Sequence, residues 1–482
     1  MSGSLVGLLY LQVLYLAIGA GLLRLLGFGG GLRSLAGFRI ALAYLAGVAG
    51  TGILAAELAL VDISLGLVEL TLLAIVLTAT LWLRGTRSKQ RELARNSAED
   101  RPRWLRFATV APIMAFSALL GYALVAVGRR PLLEFDGWAI WGMKARALYQ
   151  LGGTANPVFT SDAYPPLQHP LLYPSLEAIG FRAMGAFDPA LFHVQLVLLA
   201  AAFSFALLDL LAPRVPLLLA GLVTLAIVSA AGTIEQLSSA LADVPLAFFV
   251  ALGVVALTRW LDSGETPVLA CAALFLGAAA LTKSEGTLFA LAAAVALLGT
   301  LAVWDRARLA RAGLAMLAVL AILVPWRVFI AAHHLPNPEY SLGNAANPGY
   351  LSDHAGRVGP AASGLADRIA SGRFGFLLVL ILLGLAAALL SRRYREVAFA
   401  GAWLALSFLG LVLIYWISNV PVHLTLIWSG DRTVTAIVLG GAAVAPLLAA
   451  PAWAELEEGL TTRRLSRRAA LLAPRPRPQS PR

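Results

Sequence analysis

The chain has almost no cysteine and little charge. Its one cysteine, Cys271, excludes a disulfide framework within the chain and any centre built from several thiolates. Only 13% of residues are Asp, Glu, Lys or Arg, while 59% are hydrophobic and mean hydropathy is +0.80. A soluble domain carries about 25% charged residues, so the bilayer is the expected solvent here. No His, Asp and Glu cluster has metal-ligand spacing, so neither a metal nor another cofactor is expected, a divalent ion being left open. The net charge of +11 does not point to nucleic acid. The excess lies beside apolar runs, where basic residues meet anionic headgroups and set orientation.

Apolar runs of the length that crosses hydrocarbon, about 20 residues, number about 13. They cover roughly 4–23, 40–57, 64–83, 107–127, 188–211, 215–231, 244–260, 267–282, 286–303, 313–331, 375–390, 397–417 and 433–450. The fold class expected is an all-α polytopic membrane protein. The first run has no Lys or Arg before it and no small-residue cleavage pattern after it, so it reads as a retained helix with the amino terminus outside. Alternating from there puts 26 of the 37 Lys and Arg residues in cytoplasmic segments, the side where basic residues collect. Residues 1–105 read as an amino-terminal helical module with a basic cytoplasmic loop, and 106–450 as the functional membrane domain. Residues 451–482 read as a basic, Pro- and Arg-rich cytoplasmic tail, of which TTRRLSRRAALLAPRPRPQSPR, 461–482, reads as disordered.

The chemistry is expected outside, where Glu134, Asp136, Asp162, Glu235, Asp243, Lys283, Glu285, Asp431 and Arg432 all fall on one side. Asp136 follows the fourth run closely and lies near the headgroup plane, where a carboxylate is placed to act as a base. The plainer alternative is a solvated acid ending a helix. After it, GWAIWGMKARALYQ sets Trp138, Trp141, Ala145, Leu148 and Tyr149 on one helical face flanked by Lys144 and Arg146, which suits an interfacial helix. In YPPLQHPLLYP the prolines forbid one regular helix, so His169 sits in an irregular segment, either as a structural histidine or as a substrate contact. Asp243 opens a run, where a helix cap and a pocket acid are both open readings. Lys283 and Glu285 form a tight outer turn, either a phosphate contact beside an acid or a mutual pair. Arg432, next to Asp431, is placed to grip a phosphate or to snorkel to the headgroups.

These pieces in this order resemble the lipid-linked-sugar glycosyltransferases of the GT-C fold, particularly the bacterial branch related to protein O-mannosyltransferases and lipid A aminoarabinose transferase. The resemblance covers about residues 107–450. It rests on the acidic loop with Asp136, YPPLQHPLLYP, ADVPLAFF around Asp243, LTKSEG around Lys283 and SGDR around Arg432. It implies an inverting transfer from a polyprenyl-phosphate sugar to a glycan, lipid or protein acceptor. Asp136 would be the base and Lys283 and Arg432 the phosphate contacts. Asp243 would be a second pocket acid, with His169, Glu134, Glu285 and Asp431 as further substrate contacts. Two departures stand out. Three runs precede the acidic loop, and the family's adjacent acidic pair is replaced by Glu134, Phe135 and Asp136. The setting implied is the cytoplasmic membrane of a bacterium, with the site on the extracytoplasmic face among membrane lipids. A transporter or lipid flippase, and a polymerase or ligase of lipid-linked glycans, are the alternative readings.

Overall fold

The computed structural model describes residues 2–28, 37–83, 103–128, 132, 134–161, 168–335, 337 and 339–472. Among them there is no strand, only an isolated bridge between Tyr340 and Ser418. Apolar sequence of this length becomes helix because a lipid-facing backbone must satisfy its own N–H and C=O groups.

Four helices open the chain, α1 (Ser2–Leu25), α2 (Arg39–Ala59), α3 (Leu67–Leu83) and α4 (Arg103–Gly128). A π-helix, Asp136–Gly142, runs into α5 (Met143–Leu151), followed by α6 (Leu172–Met184) and α7 (Ala190–Leu211). The next pair, α8 (Leu217–Ser229) and α9 (Ala231–Ser238), is bent by 51° at its junction. Then come α10 (Asp243–Ser263), α11 (Thr266–Thr282), α12 (Ser284–Trp304) and α13 (Leu309–Ala332). A second broken pair combines α14 (Val358–Ala370), with the short turn before it, and α15 (Gly375–Leu390), bent by 93°. The last helices are α16 (Tyr394–Trp416) and α17 (Val422–Leu472), so helix continues to Leu472 through the first part of the tail expected to be disordered.

Each of the 13 apolar runs falls on a helix, but they are not 13 equal spans. Among the described residues nine helices are long and apolar enough to cross a membrane, or up to eleven if each bent pair is one span. In α3 and α11 the apolar stretches, Leu67–Ala79 and Thr266–Thr282, are shorter.

Helix α10 is the axis of the bundle, with 94% of its apolar window buried against 17% for the peripheral α4. It packs on α11 and α17, and α17 in turn packs on α14 and α15. The amino-terminal helices belong to the same body, since α2 packs on α6, α7 and α11. Both ends of α10 carry a carboxylate. Asp243 stands in its first turn and Asp262 near its end, where Asp262 meets Arg214 at 3.3 Å and also Arg393. A helix of this length separates them by about 30 Å, so the molecule has two distinct charged ends.

Candidate functional site

At the Asp243 end, residues from four separate parts of the chain form one line of ion pairs. The Arg432 guanidinium on α17 donates to Asp136 Oδ2 at 2.5 Å and to Asp243 Oδ2 at 3.2 Å. The Lys283 ammonium donates to Asp243 Oδ1 at 2.7 Å and pairs with Glu285 Oε1 at 2.9 Å. The charges therefore alternate from Asp136 through Arg432, Asp243 and Lys283 to Glu285. Leaving any inner member unpaired would cost several kcal/mol, about 3–5 for a buried pair, so the line holds together as a unit. It is graded in exposure. Asp243 and Lys283 are buried, at 2% and 5% side-chain exposure, while Asp136 at 26% is the open end.

Local sequence places each member. Asp136 begins the π-helix, whose tight winding depends on glycine at two places. A Cβ on Gly142 would stand 2.9 Å from the Gly137 carbonyl oxygen, and one on Gly137 would stand 3.1 Å from the Ser239 carbonyl oxygen. The second contact seats the π-helix against the segment leading into α10. In that segment Ala240 adopts a left-handed φ of 54°, an unusual conformation for a residue with a Cβ. Lys283 is the single extended residue (φ −154°, ψ 157°) between α11 and α12. Close packing permits so short a break, since a Cβ on Gly286 would lie 1.9 Å from the Ala279 carbonyl oxygen. Burial works against the Lys283 charge, but Asp243 and Glu285 outweigh it and hold the ammonium above its ordinary range.

His169 joins the site through its neighbours. Its Nδ1 lies 3.2 Å from Ser284 Oγ, directly beside Lys283, and its ring lies against Trp141 with centroids 5.3 Å apart. The carbonyl of His169 accepts from Lys144 Nζ at 2.8 Å. Burial, then the nearby Lys283 and Lys144 charges, push the imidazole well below its ordinary pKa, which keeps it neutral. The preceding carbonyl, of Gln168, accepts from Trp326 Nε1 at 3.2 Å, while the Gln168 side chain reaches Asn337 Oδ1 at 3.2 Å. The segment around His169 is thus fastened to the π-helix, to the Lys283 turn and to the loop after α13.

Several expectations are corrected. Asp243 does not cap α10: the cap position is Ala242, no side-chain cap bond forms there, and the carboxylate takes Lys283 and Arg432 instead. Asp431 does not face the same carboxylates as Arg432. It pairs with Arg368 at 3.2 Å and Arg373 at 3.4 Å, and Arg373 also pairs with Glu235. Adjacent positions on a helix point about 100° apart, so Asp431 and Arg432 serve two neighbouring clusters. The stretch after Asp136 is not one amphipathic face, because Trp138 is 53% exposed while Trp141 and Lys144 are fully buried. Glu134 is exposed at the entry to the π-helix and takes no part in the line of ion pairs; its carbonyl accepts from Trp138 N at 3.2 Å. Asp162 and the first part of YPPLQHPLLYP lie outside the described residues.

Sequence reasoning missed Arg368 and Arg373 and gave Lys144 only a flanking place. A signal was present for all three, as they are among the 11 basic residues outside the segments that read as cytoplasmic. Among the described residues no group of three or more His, Cys, Asp or Glu is arranged to hold a metal ion. No known protein family, curated protein or solved structure matches the chain.

Proposed function

We propose that the protein is an inverting glycosyltransferase of GT-C type. It takes a sugar from a polyprenyl-phosphate donor and passes it to an acceptor hydroxyl at the outer face of a bacterial cytoplasmic membrane. One observation carries this reading: Asp136, Arg432, Asp243, Lys283 and Glu285, selected separately along the sequence, converge into one line of charges at one end of an apolar helical bundle. A carboxylate at the open end of such a line, backed by two cations, is what transfer from a lipid phosphate requires.

In the reaction the acceptor oxygen forms a bond to the anomeric carbon, its proton passes to Asp136, and the bond from that carbon to the phosphate oxygen breaks. Polyprenyl phosphate leaves with the electron pair. The negative charge developing on the phosphate is met by Arg432 and Lys283, whose guanidinium fork and ammonium suit phosphate oxygens. Arg432 now holds Asp136 Oδ2. A phosphate arriving on Arg432 competes for the same donor and releases the carboxylate to take the proton, so donor binding and base activation are one event. Asp243 keeps both cations in place throughout.

The test is native mass spectrometry of the detergent-purified protein with polyprenyl phosphate, bulk phospholipid serving as control. Saturable binding weakened by both Lys283→Ala and Arg432→Ala is expected. Asp136→Asn should keep that binding and lose turnover by about a thousandfold or more, the scale of general-base catalysis and its coupled terms. One observation favours a second reading, a transporter or lipid flippase: the two helix pairs bent by 51° and 93°, a feature of transport sites. Under that reading Asp136→Asn leaves lipid movement little changed.

A further inference from the structure

The two helix breaks face each other. Leu222, Leu225 and Ala226 on α8, with Ala230 at its bend, form one wall of a groove of about 370 Å³, and Phe374 and Leu377 at the other bend form the opposite wall. Leu222 at 57% and Phe376 at 65% exposure flank its mouth, so it opens sideways along the apolar surface of the bundle. Its polar end is Arg373. Both ion pairs of Arg373 run through Nη1, to Glu235 and to Asp431, and a guanidinium has five N–H donors. Arg368 stands on the same Asp431, and the residue after Asp431 is Arg432 of the reaction site. Helix α9 starts at the groove wall and ends just before Ser239, the residue against which Gly137 packs.

We propose that this groove is a staging site for a single-chain polyprenyl phosphate, with the first isoprene units between the two helix breaks and the phosphate on Arg373 and Arg368. The inference rests on the donor reading above and adds a second phosphate position, on the arginines held by Asp431, the neighbour of Arg432. Three features select this occupant. The walls are apolar, and the polar end carries two guanidinium groups that share Glu235 and Asp431, so the anionic end of a hydrocarbon chain competes there with carboxylates for N–H donors, as it does at Arg432. The volume lies at the low end of the range for small-ligand pockets, about 300–1,000 Å³, enough for one chain and short for the two of a diacyl phospholipid. The cationic end adjoins the site where the phosphate would be used, so Asp431 stands between the waiting and the reacting positions. Arg373 and Arg368 are then binding residues for the lipid on its way in or out and never touch the reacting carbon.

The experiment is photo-cross-linking of the full-length protein in nanodiscs with a polyprenyl phosphate carrying a diazirine in its first isoprene unit, mapped by peptide mass spectrometry. Unlabelled polyprenyl phosphate and phosphatidylglycerol are the competitors. Adducts are expected on 222–231 and 374–377, displaced by polyprenyl phosphate and not by phosphatidylglycerol. Arg373→Ala should lower them by about tenfold, the loss of one charge-assisted contact. Ala226→Trp, which fills the groove and leaves both arginines, should abolish them. Saturable adducts elsewhere, insensitive to Ala226→Trp, overturn the staging site and leave the donor reading standing. Displacement by phosphatidylglycerol equal to that by polyprenyl phosphate makes the groove an ordinary phospholipid contact and also overturns it. Absence of any saturable adduct removes both the staging site and the donor reading.

Discussion

Lys144 is fully buried, eight residues beyond Asp136, and burial lowers its pKa from 10.5 to about 7. Between those values the unfolded chain holds a proton on Lys144 that the folded protein does not, so stability rises with pH across the window. Below about pH 7 both states are protonated and the whole cost of the buried charge is present. Lys144→Met removes that cost and keeps most of the side-chain volume. Its melting temperature in detergent relative to the wild type should be highest at pH 7 and below and should fall towards pH 10, while the loss of the bond to the His169 carbonyl is a cost at every pH. A constant difference across that range would contradict the assignment. The same residue shows what sequence reading gets right and wrong at this scale. Residue type and neighbourhood were legible; burial was not, because it depends on which face the π-helix turns inward.

At the scale of elements, glycines set how closely helices meet. A Cβ on Gly19 of α1 would lie 1.7 Å from the Ala43 carbonyl oxygen, and one on Gly47 of α2 would lie 1.8 Å from the Tyr15 carbonyl oxygen. Small residues at such crossings allow backbone-to-backbone packing where lipid supplies no hydrophobic drive between helices. Gly47→Val should therefore force α1 from α2 and lower stability by about 1–3 kcal/mol or more, seen as a fall in detergent melting temperature. Gly299→Ala on α12 is the contrasting variant. Nothing lies within 4 Å of its Cβ position, so it should hold or raise the melting temperature by removing a helix-interior glycine. Apolar runs gave the positions of these helices directly. Their bends did not follow from hydropathy, since residues 229–231 and 371–374 contain no proline to mark a break; packing around Phe374, whose ring a Cβ on Gly232 would meet at 2.2 Å, accompanies the bends.

At the scale of the whole molecule, orientation is the property most open to direct test. The only native cysteine, Cys271, is buried, so single introduced cysteines report cleanly. Ser341→Cys, at the Asp243 end, should react with a membrane-impermeant maleimide added to intact spheroplasts, while Ser391→Cys, at the Asp262 end, should react only after lysis. The reverse pattern would put the site in the cytoplasm and remove the proposed donor geometry. Some of the basic residues outside the segments that read as cytoplasmic bear on the site as well. Lys144, Lys283, Arg368, Arg373 and Arg432 go against the charge bias, and the structure gathers Lys283 and Arg432 on one pair of carboxylates, with Lys144 behind His169 and the other two arginines on Asp431. These are five of the 11 basic residues outside the segments that read as cytoplasmic, and carboxylates hold four of the five. The helical class, the grouping of basic residues beside apolar runs and the residue types at the site were legible in the chain. Each follows from local composition, because hydrocarbon length and backbone satisfaction act on one segment at a time. It takes the packed helices to show that Asp136 and Arg432, 296 residues apart, share a hydrogen bond, that Asp431 turns away to a second cluster, and that two helix breaks enclose a groove. Those are outcomes of how helices pack, and packing is set by steric fit between elements that no single stretch of sequence contains.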